Sequence, residues 1–173
     1  MIPLRDDVPS RTIPFVTIGL IVANALVFAR ELLLAREGRV QPFFASFALT
    51  PAHVVHPSSP SVYSTIFTSM FLHEGWLHII GNMWYLWIFG DNVEDSVGHF
   101  RFILFYLLCG IGAAAAQVAI SPESTTPMIG ASGAISGVLG SSQEGGVAFW
   151  AHVGGFLAGM ILPFKKRGVR LFQ

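Results

Sequence analysis

The sequence predicts an all-α, polytopic membrane protein: a helical bundle with four full spans plus a short re-entrant segment. Of its 173 residues, 53% are hydrophobic and only 12% are charged, and the mean hydropathy is +0.61. Soluble domains carry roughly 25% charged residues. Four stretches approach the roughly 20 apolar residues that a membrane-spanning helix needs. The formal net charge of +0 argues against nucleic acid as a partner.

The four spans are assigned to apolar stretches that end at charged or turn-forming residues. The first, 13–34, is interrupted near its end by Arg30 and Glu31. The other three are predicted at 72–89, 100–120 and 147–164. Residues 130–140 form an apolar, glycine-rich stretch that is too short to cross a bilayer. We therefore expect this stretch to enter the membrane and return on the same side.

Basic residues near the span ends predict the orientation of the chain, which we treat as one membrane domain, 1–173. With the N-terminus inside, the inner side carries Arg5, Arg11, Arg101, Lys165, Lys166, Arg167 and Arg170, and the outer side carries Arg30, Arg36 and Arg39. This excess predicts cytoplasmic tails at 1–12 and 165–173. The connection 30–71 is expected outside, partly in the membrane interface. No organelle address is recognisable, so a bacterial plasma membrane is the default.

Two polar residues at the predicted membrane depth indicate a catalytic pair. Ser132 lies in Gly130-Ala131-Ser132-Gly133, and His152 follows on the last span. Such side chains are costly in a bilayer unless they face each other or water. A serine hydroxyl becomes a nucleophile when a base takes its proton, and histidine accepts and returns protons near neutral pH. His152, Gly155 and Gly159 share a helix face, whose glycines form a close-packing surface for the segment that carries Ser132.

The second span offers further polar groups. His78 and Asn82 are four residues apart, so they share a helix face, and both can donate hydrogen bonds to a developing oxyanion. His73 is about 140° further round the helix and is predicted on a different face. The run from His73 to His78 has one residue too many between its histidines for a zinc-protease motif, so we predict no metal site. The single Cys109 is expected to be a buried structural thiol.

These motifs, taken in order, resemble the rhomboid family of intramembrane serine proteases. The matching stretches are His73-xxxx-His78-xxx-Asn82, then Gly130-Ala131-Ser132-Gly133, then Ala151-His152-Val153-Gly154-Gly155-xxx-Gly159, with further likeness at 84–90 and 93–98. The resemblance implies a Ser132–His152 dyad without a third acid, with His78 and Asn82 lining the oxyanion site. It also implies no cofactor, and substrates that are transmembrane segments cleaved near small, helix-breaking residues.

The sequence departs from the family pattern after the serine motif. The family has six core helices, with the serine at the start of the fourth and the base on the sixth. Here residues 138–146 lead directly into the last span, so most of the fourth helix and all of the fifth are absent, an apparent internal deletion. A re-entrant hairpin can still form, because 132–140 would descend about 12 Å as helix and 141–146 could climb about 20 Å if extended. Tyr63-Ser64 stands near the place of the family's usual Trp-Arg pair.

Three functions stay open at this point. The first is an intramembrane serine endopeptidase. The second is a catalytically impaired, internally deleted homologue that binds membrane segments without cleaving them. The third is a small transporter or channel subunit lined by His78, Asn82 and His152, which the convergence of these residues on one depth disfavours. Outside the site, Glu94 and Arg101 are expected to form at most a weak ion pair at the inner face.

Overall fold

The computed structural model describes residues 12–141, whose regular elements are helices joined by loops, with one isolated backbone bridge between Leu49 and Met128. The helices are α1 (Phe15–Arg36), α2 (Val40–Phe47), α3 (Pro51–Val55), α4 (Thr65–Thr68), α5 (Trp76–Val97), α6 (His99–Ile120) and α7 (Ser132–Ser141). Short 3-10 turns at Pro60–Ser64 and Ser69–Phe71 flank α4. The predicted all-helical class is confirmed. The predicted span 147–164, the tail 165–173 and most of the tail 1–12 lie outside the described residues.

Two helices in the described part of the chain have the length and hydropathy of membrane spans. They are α1 and α6, each 22 residues long. Both expose large apolar side chains, including Leu26 on α1 and Phe100 on α6, which suits contact with lipid tails. The third long helix, α5, also has 22 residues but is less apolar, because it carries His78, Asn82 and three carboxylates. The described residues therefore support a helical membrane protein, and the number of four full spans stays a prediction.

Several helix ends differ from the predicted bounds. The structure extends α1 to Arg36, so the connection predicted at 30–71 begins only after that residue and is folded largely into short helices. It begins α5 at Trp76 and continues it to Val97, whereas the predicted span covered 72–89. Gly98, with a φ of 87°, then turns the chain directly into α6. Glycine adopts this conformation without the steric cost that a side chain would add.

The core lies among α1, α5, α6 and α7. Its largest fully buried side chains are aromatic residues of α6, among them Phe102, Phe105 and Tyr106. Cys109 is also fully buried, as predicted. Helix α7 packs against both α6 and α5. Two long helices therefore fix the position of the short helix that begins at Ser132.

A buried carboxylate joins the end of α5 to the start of α1. Glu94 is fully buried and accepts hydrogen bonds from Val16 N–H (2.9 Å), Thr17 N–H (2.7 Å) and the Thr17 hydroxyl (2.7 Å). These N–H groups lie in the first turn of α1, where they have no partner inside the helix and favour a negative charge. His99 shares a further hydrogen bond with Glu94. The predicted weak ion pair between Glu94 and Arg101 is therefore wrong.

Candidate functional site

Ser132 is the first residue of α7 and is partly buried. It follows the loop of residues 121–131, called the serine loop below. Met128 and Leu49 exchange two backbone hydrogen bonds of 2.7 and 3.2 Å, and Gly130 N–H donates to Ser69 O at 2.8 Å. The loop is thus held by backbone contacts shortly before the serine. The first N–H groups of a helix have no partner inside it and carry partial positive charge, so Ser132 lies among donors suited to an anion.

Gly130 brings the serine loop against the polar side chains of α5. A Cβ atom at Gly130 would lie 2.5 Å from His78 Nε2 and 3.7 Å from Asn82 Nδ2. The φ of Gly130 is 110°, which a side chain would also strain. The residue is therefore glycine for two reasons: its backbone conformation and the closeness of His78. The structure brings His78 and Asn82, predicted from their spacing, beside the loop that leads into Ser132.

Within the described residues, Asn82 has an unpaired hydrogen-bond donor beside this loop. The residue is buried, with 7% of its surface exposed, and within the described part of the chain its Nδ2 donates no hydrogen bond. Leaving a buried polar group unpaired costs roughly 1–3 kcal/mol. An oxygen atom that arrived beside Gly130 would relieve this cost, so the site favours a ligand that presents a carbonyl or an oxyanion.

A cavity of about 160 Å³ adjoins Ser132. Small and apolar groups line it, and they come from Ile66, Ser69, Met70, Gly110, Ala113, Met128, Ile129, Gly130, Ser132, Gly133 and Ala134. Met70 packs directly on Gly110, where a Cβ atom would overlap the thioether. An apolar cavity of about 150 Å³ is large enough for a benzene-sized group. This one has room for a small or medium side chain next to the serine.

His73 lies beside His78, although the sequence predicts them on different faces of one helix. The prediction is wrong because α5 begins at Trp76, so His73 belongs to the preceding loop. The two imidazole rings pack edge to face with centroids 5.0 Å apart. His73 N–H donates to both carboxylate oxygens of Glu31, at 3.2 and 3.3 Å. Burial, and to a lesser degree His78, lowers the pKa of His73 to about 4, so its ring is neutral at pH 7.

The remaining predicted site residues cannot be placed. His152, Gly155 and Gly159 lie outside the described residues, so their assignment as base and packing surface stays a prediction. Among residues 12–141, no group of three or more His, Cys, Asp or Glu side chains is arranged to hold a metal ion. The sequence interpretation missed one contributor, Glu31, which it treats only as an interruption of a span. A carboxylate inside an apolar stretch is costly unless it is paired, so the position of Glu31 in the sequence already indicates a buried partner.

Comparison with known proteins gives one consistent result. Residues 60–144 match the family model described as Rhomboid domain. Rhomboid-like protein 11, chloroplastic, of Arabidopsis thaliana is 33% identical over 100 residues, which are 58% of this chain and 35% of the relative. Rhomboid protease GluP of Bacillus subtilis (strain 168) is 42% identical over 76 residues, 44% of this chain and 14% of the relative. The mitochondrial presenilin-associated rhomboid-like protein of Mus musculus is 29% identical over 123 residues, 70% of this chain and 30% of the relative.

The fold and the site together define a class: helical membrane proteins with a serine at the start of a short, packed helix, whose preceding loop lies against a histidine and an asparagine. The chain matches the rhomboid domain over residues 60–144, just under half of its length, and members of the rhomboid family are integral to membranes. It spans about a third or less of the length of these relatives. The family match ends at residue 144, within the stretch 138–146 where the sequence departs from the family pattern.

Proposed function

We propose that this chain is an intramembrane serine endopeptidase that cleaves transmembrane segments of membrane proteins, with Ser132 as nucleophile and His152 as base. The observation that carries the proposal is the close approach of Gly130 to His78 and Asn82. It supports an oxyanion site at the loop that leads into the serine. The match to the rhomboid domain and the likeness to a protein named as a protease, GluP, agree with this proposal.

The proposed reaction proceeds through an acyl-enzyme. His152 takes the proton of the Ser132 hydroxyl while its oxygen attacks the carbonyl carbon of the scissile bond. The charge that develops on the carbonyl oxygen is stabilised by hydrogen bonds from His78, Asn82 and the N–H groups at the start of α7. His152 then gives the proton to the leaving nitrogen, and the carbon–nitrogen bond breaks. Water, activated by the same histidine, releases the acid and restores the serine.

The surroundings of Ser132 suggest the kind of segment that is cleaved. A peptide bond inside a helix has its carbonyl paired and shielded, so the substrate must unwind locally to reach the serine. Small or helix-breaking residues lower the cost of that unwinding. The cavity of about 160 Å³ suits a small or medium side chain on one side of the scissile bond. We infer a substrate segment with such residues at membrane depth.

The lipid bilayer is the proposed environment, with both chain ends cytoplasmic. Two of the similar proteins are named for chloroplasts or mitochondria and another comes from a bacterium. A bacterial plasma membrane therefore stands beside organelle membranes as a proposed location. The basic residues counted above support the cytoplasmic tails in the bacterial case.

A fluorophosphonate probe tests the proposed dyad directly, because it reacts only with an activated serine. Protein purified in mild detergent is incubated with a fluorescent probe, and labelling is followed in a gel. We expect labelling of the unaltered chain, none of Ser132→Ala, and a loss of at least about 100-fold in His152→Ala, as removal of a general base implies. Ser46→Ala, on α2, where the hydroxyl donates a hydrogen bond to Pro42 O, is the matched serine control and should label normally.

Two results would contradict the proposal. One is labelling that persists without His152, and the other is no labelling of protein that is folded and monodisperse in the same detergent. The second result would favour the homologue that binds membrane segments without cleaving them. Retention of an intact transmembrane peptide by the unlabelled protein would then support that alternative.

A further inference from the structure

Glu31 is a buried carboxylate that the proposed chemistry does not use. It lies near the end of α1 and exposes only 3% of its surface. Both of its oxygens accept the backbone N–H of His73, at 3.2 and 3.3 Å. An acidic residue inside an apolar helix is expensive, and such residues mark positions with a defined partner. The defined partner here is the backbone three residues before α5 begins.

A second contact from the same face of α1 reaches the same place. Phe28 is three residues before Glu31, so the two side chains share a helix face. The ring of Phe28 packs edge-on against Trp76, with centroids 5.0 Å apart, and Trp76 is the first residue of α5. Phe28 is itself buried. One face of α1 thus holds residues 73–76 by a buried hydrogen bond and a ring contact.

The stretch held in this way leads into the candidate oxyanion site. The His73 ring packs against the His78 ring, and His78 Nε2 lies against Gly130. His78 is also in the first turn of α5, whose start Trp76 defines. A shift of the backbone at His73 would therefore move His78 through both a ring contact and the helix itself.

We propose that Glu31 is a positioning residue, which holds the loop before α5 so that His78 stays beside the serine loop. The effect of Glu31 on the reaction rests on the proposed function, whereas its effect on the position of the loop rests on geometry alone. Glu94 provides the matched comparison. It is a buried carboxylate that joins the same two helices at their opposite ends, where it contacts Val16 and Thr17.

Two substitutions at Glu31, whose new side chains are about as long as glutamate, separate the effect of the hydrogen bond from the effect of side-chain size. Glu31→Gln keeps an oxygen acceptor for His73 N–H, whereas Glu31→Met removes it and places an apolar side chain that a membrane helix tolerates well. Amide hydrogen exchange in detergent measures protection of residues 72–78. The rate of fluorophosphonate labelling measures the reactivity of Ser132.

We expect Glu31→Met to raise exchange at 72–78 about tenfold, and to slow labelling by a similar factor, as the loss of a buried hydrogen bond that leaves its donor unpaired implies. Glu31→Gln should stay within about threefold of the unaltered chain in both measurements, because a neutral acceptor keeps much of that bond. Glu94→Met, the matched change at the other carboxylate, should raise exchange at residues 15–18 and leave 72–78 protected. Glu37→Gln, on the surface, should change neither measurement.

Each remaining result overturns part of the inference. Unchanged exchange at 72–78 in Glu31→Met would show that the carboxylate does not hold the loop. A uniform rise along the whole chain would report general stability rather than positioning. Normal labelling in spite of a loosened loop would remove the link to Ser132. If the unaltered chain does not react with the probe, the proposed protease function fails, and the exchange data still decide whether Glu31 holds the loop.

Discussion

Gly130 joins two halves of the candidate site that are about 50 residues apart in sequence. Its missing side chain lets the serine loop lie against His78 Nε2, and its φ of 110° turns the chain towards Ser132. Any larger residue would meet both a steric and a conformational penalty. The two penalties can be told apart, because Gly38 has a φ of 69° but open space around it.

We predict that Gly130→Ala lowers the rate of fluorophosphonate labelling by at least about tenfold, since a displacement of about 1 Å at an active site can cost on the order of 100-fold. Gly38→Ala should label normally, although it carries a similar backbone strain of about 1–2 kcal/mol. The comparison uses labelling rates and thermal unfolding of both variants in one detergent. Equal labelling rates of the two variants would mean that the reactivity of Ser132 does not depend on the contact between Gly130 and His78.

The residues of the site differ in how well sequence alone predicts them. His78 and Asn82 follow from spacing, because any helix through both places them on one face. The contact between His73 and His78 does not follow, because it depends on where α5 starts. That start depends on Glu31 and Phe28, which contact residues more than 40 positions away. Long-range contacts of this kind leave no mark in local spacing.

At the level of elements, the contact between α6 and α7 depends on small residues. A Cβ atom at Gly133 would lie 2.6 Å from the Cβ of Ala113. Ala134, next to Gly133, is also almost fully buried. Membrane helices lack a hydrophobic driving force between them, so close approach of small residues provides much of their association energy. The position of Ser132 at the start of α7 follows from this contact.

We predict that Gly133→Ala lowers the free energy of unfolding by about 1–3 kcal/mol, as overpacking of a tight contact does. Adding Ala113→Gly should restore part of that loss, because it removes the atom that the new methyl group meets. Gly81→Ala, on α5 with open space around it, is the control and should be neutral. Unfolding in mixed micelles, followed by tryptophan fluorescence, measures five proteins: the unaltered chain, Gly133→Ala, Ala113→Gly, the double variant and Gly81→Ala. Strictly additive effects of the two substitutions would contradict the proposed contact.

Helix ends show what apolar patterning can and cannot predict. The span predicted at 100–120 agrees with α6 within one residue, because Gly98 and Ser121 bound a stretch in which Arg101 and Gln117, near its two ends, are the polar residues after His99. The span predicted at 72–89 misses the last two turns of α5, where Glu94 is buried. A carboxylate normally ends an apolar stretch, but this one is retained inside because the start of α1 supplies its hydrogen bonds. The hydropathy of a stretch does not show that hydrogen-bonding partner, because the partner lies elsewhere in the chain.

At the scale of the whole molecule, the two buried carboxyl groups of Glu31 and Glu94 determine the relative direction of α1 and α5. Glu94 joins the end of α5 to the start of α1, and Glu31 joins the end of α1 to the stretch before α5. The two helices are therefore antiparallel. This agrees with successive crossings of a bilayer in opposite directions, as the distribution of basic residues predicts.

The predicted orientation can be checked with an impermeant maleimide in bacterial cells, after Cys109 is replaced by alanine. A cysteine at Ser61, which is exposed between α3 and α4, should react in intact cells. A cysteine at Gly168 should react only after lysis, because an even number of crossings returns the C-terminus to the cytoplasm. Reaction of both positions in intact cells would mean an odd number of crossings and would exclude the re-entrant segment.

The contacts of the serine loop also have a consequence for biosynthesis. Leu49, Ser69, His78 and Ala113, which receive the loop and α7, all precede Ser132 in the chain. A ribosome therefore delivers these contacts of the serine loop and α7 before it delivers Ser132, and the predicted packing face of the last span after it. The loop and α7 thus join helices that precede them in the chain, and the proposed base on the last span is the final part of the candidate site to be synthesised.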